Sequence, residues 1–313
     1  MKAAILHQLV YENNPLLLHK KGLSSIMNKI SWSQVQIYTQ CPFKWKLNYI
    51  DKNRIFNDSI YTVYGKAVHE VLQHYLTTMY GETAKKADEI DMPNMLVDKM
   101  KELYGEAVKN ADGKHFSTQA QLTEFCVQGA KALDWFKKNR GSYFAKKNWE
   151  LLGIEVPIDD EYKGVGILGY IDVLMRNTQT GKIKIIDLKT STMGWKKEKT
   201  DPMKRGQLLF YKKFIADKYN VDVSMVDVEF IIIKRIVWDK GDWPVKWIQR
   251  FEPPSASVSI NRIFKQVDLF INECFNEDGS YKTEATYEKL GVNTKCKWCE
   301  FADKPEICDK GKK

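Results

Sequence analysis

The 313-residue chain lacks any apolar run approaching the roughly 18 residues that a membrane span needs. Glu12, Asn13, Asn14 and Pro15 interrupt the N-terminal stretch before a signal-peptide core can form. Secretion is therefore not expected, and a cytoplasmic setting is (the host's cytoplasm if the chain is viral). No Gly-rich loop ending in Lys-Ser/Thr occurs, which excludes a nucleotide-driven motor of that type on this chain. Helix-turn-helix and zinc-finger spacings are absent too, as are repeats and low-complexity tracts. Acidic residues are in deficit, with 40 Asp and Glu against 49 Lys and Arg and a net charge of +9. That balance favours a polyanion partner, nucleic acid first, although a merely basic protein would share it.

Hydrophobic content of 43% and aromatic content of 12% are enough for a sizeable core. Residues 1–26 are expected to be a weakly structured extension or an over-called start, since Met27 directly precedes the first well-formed segment. Residues 27–148 read as a helical region. Ser31-Trp-Ser33 begins a short capped helix that Cys41-Pro42 interrupts, and Gly65 opens an amphipathic helix with Val68, Leu72, Leu76 and Met79 on one face. Residues 80–118 look like an insertion with one helix near Met95 to Val108, and a further helix covers 119–139.

The character changes near Trp149. Residues 149–250 read as an α/β unit, with strands at Leu151 to Ile158, Val165 to Met175 and Ile183 to Leu188. A turn at Asn177 to Gly181 joins the last two. Asp201-Pro202 starts a helix, and Val228 to Ile233 is a buried strand. Residues 251–313 hold a final helix and a group of cysteines. The order of elements predicts an α/β core with helices on both flanks. Cys126 and Cys274 fall on apolar helical stripes and read as core.

The chemistry-bearing residues cluster in the strands. Asp172 closes Gly169-Tyr-Ile-Asp172, and Asp187-Leu-Lys189 follows one hairpin later. Such a hairpin can bring two carboxylates to one cation, and the period of two puts Asp187 and Lys189 on one face. Acid-x-Lys also occurs at Asp112-Gly-Lys114 and Glu161-Tyr-Lys163, so the strand context carries the signal rather than the three letters.

With Gly65-x-x-x-His69, Gly169-Tyr-Ile-Asp172, Asp187-Leu-Lys189 and Gln207-x-x-x-Tyr211, the chain from about 29 to 310 resembles the PD-(D/E)XK nuclease superfamily in its RecB-like branch. The resemblance implies a restriction-endonuclease-like core, a mixed sheet flanked by helices, with a helical N-terminal part. It implies that His69, Asp172 and Asp187 bind Mg²⁺ or Mn²⁺, that Lys189 positions the attacking water, and that Glu155 assists. Gln207 and Tyr211 share a helix face and are expected to contact DNA or to support the site.

In the same branch many members carry one cysteine before the nuclease core and three after it, binding a four-iron, four-sulfur cluster. Cys41 with Cys296-x-x-Cys299 and Cys308 resembles that arrangement, although the eight residues between Cys299 and Cys308 exceed the usual spacing. Zinc is the alternative occupant for such thiolates. The basic run Trp195-Lys196-Lys197, continued by Lys199 and Lys204-Arg205, lies just after the Asp187–Lys189 motif and is expected to grip substrate through Lys196, Lys197 and Arg205. Interleaved aromatics there, and at Tyr143, Phe144 and Trp149, suit base stacking on a single strand.

The expected activity is a metal-dependent DNA exonuclease acting on single strands or ends, in replication, recombination, repair or spacer processing. Any unwinding would come from a helicase or another recombination protein. Two alternatives remain from the residues alone, an inactive nuclease-like DNA-binding subunit and a zinc-stapled endonuclease.

Overall fold

The computed structural model describes residues 28–55, 58–238, 244–291 and 296–310, so the expectation for residues 1–26 lies outside the described residues. The chain begins with β1 (Lys29–Ile30), α1 (Trp32–Gln40), α2 (Pro42–Tyr49), α3 (Ile60–Gly81), α4 (Ala84–Asp88), α5 (Met92–Asn110) and α6 (Gln119–Asn139). Strands β2 (Trp149–Tyr162), β3 (Val165–Asn177) and β4 (Ile183–Ser191) follow. Helix α7 (Pro202–Lys218), β5 (Val226–Lys234), β6 (Ile248–Phe251) and α8 (Ser257–Cys274) complete the order.

Local chemistry sets the helix starts. Helix α3 begins at Ile60, not Gly65, because Ser59 and Thr62 form a reciprocal capping box that starts the helix ahead of the expected position. Asp201 accepts from the Met203 amide at 2.9 Å, and Pro202 occupies the first turn of α7. The region 80–118 holds two helices rather than one, since Thr83 caps α4 and Asp91 caps α5.

The strands form one mixed sheet in the order β1-β3-β4-β5-β6, with β2 also on β3. Strand β2 runs antiparallel along β3, from Trp149↔Asn177 to Tyr162↔Val165. The other edge of β3 is shared. Strand β1 pairs in parallel with Gly166 and Ile167, and β4 pairs antiparallel with Val173 to Arg176. Residues 168–172 lie between these ladders with no strand partner on that edge among the described residues, which leaves a slot. Beyond it, α7 carries the chain over to β5, parallel to β4, and β6 closes the edge antiparallel. Neither β1 nor β6 was expected from sequence; both are too short for periodicity to reveal.

Two apolar cores flank the sheet. Ile183, Ile185, Phe230 and Ile232 pack with α1, α7 and α8. Ile186, Leu188, Ile231 and Ile233 pack with α3, α5 and α6 on the other side. The alternation along β4 and β5 is that of strands buried on both faces. Cys274 is fully buried and Cys126 packs at the margin of the second core, as their helical stripes predicted.

Candidate active site

Asp172 sits in mid-strand, in the slot where β4 separates from β3. The last ladder pair is Val173↔Ile186, so continuing the register sets Asp172 opposite Asp187. There the ladder is replaced by a side chain, because Asp172 Oδ2 accepts from the Leu188 amide at 2.7 Å. This bond holds β4 so that Asp187 and Lys189 flank the anchored residue.

Glu155 also lies in mid-strand, within β2. Its neighbours pair as Ile154↔Val173 and Val156↔Ile171, which puts Glu155 across from Asp172 on the opposite edge. Its φ of +48° is left-handed, a conformation that costs a non-glycine residue energy. At this point the strand pair changes sides: Ile154 and Val173 pack with the α3 core, whereas Val156 and Ile171 pack with the α7 core. A helical or strand period cannot foresee such a turn-over. Glu155 is exposed as a residue, and its carboxylate accepts from the buried Gln73 Nε2.

Helix α3 supplies His69 and, one turn on, Gln73. His69 Nδ1 stands 3.8 Å from Asp172 Oδ2. Helix α3 can lie this close to the sheet because of Gly65, where a Cβ would stand 3.3 Å from Thr190 Oγ1 of β4. From the other layer, α7 brings Tyr211, whose ring is buried against Gly169; a Cβ at Gly169 would lie 2.6 Å from Tyr211 Cε1. Gln207 donates to the Tyr211 hydroxyl at 3.3 Å. Gln73 and Thr190 escaped sequence reading, although the spacing of four from His69 to Gln73 was a usable signal.

The electrostatics follow from burial. Lys189 Nζ is 2.6 Å from Asp187 Oδ2, a close ion pair in the buried slot. Desolvation raises Asp187 to about 6 despite Lys189, and the nearby Asp172 raises it further. Asp172 likewise rises to about 6, chiefly through burial, against the pull of Lys189 and the Leu188 amide. Burial works against the charge of Lys189, but Asp187 and Asp172 outweigh it and its pKa rises. His69 is lowered, first by burial and then by Lys189, so at neutral pH it is a neutral imidazole with a free lone pair. Two carboxylates held reluctantly ionised beside a neutral imidazole suit a divalent cation in donor chemistry. Among the described residues, however, no three His, Cys, Asp or Glu donors already stand close enough to hold an ion.

The basic run divides. Lys196 and Lys197 are exposed, and Arg205 Nη2 donates to Thr200 O at 3.4 Å. The expectation of stacking aromatics is corrected: Trp195 is 8% and Phe144 3% exposed, so neither ring offers a face to a base. Trp195 packs at 4.9 Å from Phe230, and Gln249 binds both its amide and its carbonyl.

The four cysteines border a common cavity, but no three of them stand close enough to hold a metal ion among the described residues. Cys41, Cys296, Cys299 and Cys308 line one cavity with Phe43 and Leu47. All are free thiols, and Cys299 is raised by burial and by the nearby Cys41. Lys44 and Glu300 bridge the two chain segments at 2.7 Å, and Phe43 N donates to Glu288 O at 3.1 Å.

A family model for the PD-(D/E)XK nuclease superfamily matches residues 29–308. No curated protein sequence matches the chain. Among solved structures, a protein of Eubacterium rectale, provisionally described as an exonuclease, is similar with a TM-score of 0.45 and 10% identity, over 86% of this chain and 87% of that one.

Proposed function

Because the chain belongs to the PD-(D/E)XK nuclease superfamily, we propose that it is a metal-dependent DNA exonuclease of the RecB-like branch, acting on single strands or ends. The observation that carries this reading is the convergence of Asp172, Asp187, Lys189 and His69 in the slot between β3 and β4, with α3 and α7 closing on it from opposite layers. His69, Asp172 and Asp187 would hold Mg²⁺ or Mn²⁺, with Glu155 beside them. When bound, the cation neutralises the paired carboxylates and polarises the scissile phosphodiester.

The chain's own groups do the rest. Lys189, kept charged by Asp187, orients the attacking water and meets the charge that develops on the phosphoryl oxygens. The water oxygen bonds to phosphorus and gives its proton to solvent while the bond to the 3′ oxygen breaks and that oxygen takes up a proton, leaving a 3′-hydroxyl on one product and a 5′-phosphate on the other. Gln73 orients Glu155, and Tyr211 supports the floor through Gly169. Lys196, Lys197 and Arg205 lie on the run leading away from Lys189, where they would neutralise phosphates.

Cys41, Cys296, Cys299 and Cys308 would hold a four-iron, four-sulfur cluster joining the start of α2 to the C-terminal segment, with zinc as the alternative, once the thiols of their shared cavity draw together around it. Residues 149–250 would then form the nuclease core, with 27–148 as its helical flank and 251–313 as the staple. A helicase or recombination protein would supply any unwinding.

The test is degradation of end-labelled single- and double-stranded DNA by anaerobically purified protein with Mg²⁺ or Mn²⁺, beside Asp187→Ala. Metal-dependent loss of label from the ends, absent in a folded variant, is expected. Tight DNA binding without any cleavage would replace this reading with the inactive subunit, and paired internal cuts would replace it with an endonuclease.

A further inference from the structure

Lys196, Lys234, Lys246 and Arg250 line one trough of about 410 Å³, with Tyr143 and Met193 among its other walls. The Arg250 guanidinium is committed to the buried Glu229, to which both Nε and Nη2 donate. Lys196 and Lys246 are exposed and Lys234 is half-buried, and none of the three makes an ion pair within 4.0 Å among the described residues. Burial first, and then the like charge of Lys246, hold Lys234 below the usual lysine range. Positive charge is thus concentrated here, with no acid paired to these three lysines among the described residues.

The walls are built rather than fortuitous. After β4 the chain turns back at Gly194 with φ +95°, where a Cβ would lie 2.8 Å from Gln249 Oε1 and 3.1 Å from Lys234 Cδ. Gln249 clamps the next residue, donating to Trp195 O at 3.0 Å and accepting from Trp195 N at 2.6 Å. The register fixes the position relative to Lys189: Lys189 pairs with Ile232, and Ser191 with Lys234. Lys234 therefore lies two residues, roughly 7 Å of strand, beyond the level of Lys189.

We propose that this trough is a backbone-binding site, in which Lys234 and Lys246 neutralise phosphates of the substrate strand next to the one being cut, with the exposed Met193 at its rim. The assignment rests on the nuclease reading for its register, but its charge predicts polyanion binding without it. Neither lysine follows from the sequence motif, because they come from the end of β5 and the residues just before β6 and meet only through strand pairing.

Binding of a fluorescein-labelled oligothymidylate is measured in EDTA across a salt series, for the wild type, Lys246→Glu and Lys234→Gln/Lys246→Gln. Each lost phosphate contact should flatten the salt dependence by about 0.7 in slope, so the double variant should lose about 1.4. With Mn²⁺, KM for the oligonucleotide should rise about tenfold or more with kcat preserved, and hydrolysis of thymidine 5′-monophosphate p-nitrophenyl ester should not change. Wild-type affinity and slope in the exposed-site variant Lys246→Glu and in the folded double variant overturn the trough. Equal loss on the small ester also overturns it, because the lysines would then act on the reacting centre. If the wild type cleaves nothing yet shows a salt slope that the variants lose, the trough stands and the nuclease reading fails.

Discussion

The carboxylate of Asp172 stands in for a strand, accepting the Leu188 amide at 2.7 Å where the β3–β4 ladder has ended. A backbone donor in a buried slot needs an acceptor, and here a side chain supplies it. One bond thereby does two things: it terminates the sheet without an orphaned amide and it sets Asp187 and Lys189 on either side of Leu188.

Lys189→Ala should lower the rate of hydrolysis by about 10²- to 10⁴-fold, the usual contribution of a group that manages a proton or positions a nucleophile. DNA affinity in EDTA should be little changed. Steady-state rates on labelled DNA with Mn²⁺ check this, and a variant within threefold of the wild type would remove Lys189 from the chemistry.

Stability should depend on pH in an unusual direction. Asp172 and Asp187 both rise from 3.8 to about 6 on folding, so the folded state holds their protons more tightly than the unfolded chain. Their contribution is fully present below pH 3.8 and is lost as pH rises through about 6. Asp172→Asn keeps an acceptor for Leu188 and removes one charge. In EDTA at pH 8 it should be more stable than the wild type by on the order of 1–3 kcal/mol, with the gap closing near pH 4. Added Mn²⁺ should reverse the ranking at pH 8. Urea midpoints measured at both pH values decide it, and a destabilised Asp172→Asn at pH 8 would show that burial does not dominate.

Gly169→Ala should destabilise by about 1–3 kcal/mol, since its methyl would enter the Tyr211 ring at 2.6 Å. Adding Tyr211→Ala opens that space, so the double variant should lose less than the sum of the two single losses. Additive losses in thermal or denaturant melts would mean that the two residues do not share this contact.

Cys41→Ser and Cys299→Ser should each abolish bound iron and visible absorbance in anaerobically prepared protein, whereas Cys126→Ser should leave both unchanged. Elemental analysis distinguishes the occupants. Stoichiometric zinc in a colourless wild type would favour the zinc staple, and neither metal would leave the four as free thiols.

Residues close in sequence were legible where one period or one cap governs them. The ends of α6 fell at 119 and 139 as read, Asp201-Pro202 opened α7, and Asp187 with Lys189 met across a spacing of two. The start of α3 was misjudged because Gly65 resembles a helix boundary while serving as a close approach to Thr190. Trp195 was misjudged because a basic, aromatic run looks the same whether its ring faces water or Phe230.

Taken alone, the amino-acid order determined what depends on neighbours: alternating β-branched runs, amphipathic stripes, the Asp-x-Lys pair, the cysteine spacings and the excess of positive charge. Only the tertiary structure decided which edge of β3 stays open, that Glu155 faces Asp172 through a left-handed residue, and that Lys234 and Lys246 share a trough with Lys196. It also brought Cys41 to the cavity of the other three cysteines. The physical reason is that propensity and periodicity act over a few residues. Register and layer packing couple residues a hundred or more positions apart, and those long-range couplings form the slot, the trough and the cysteine cavity.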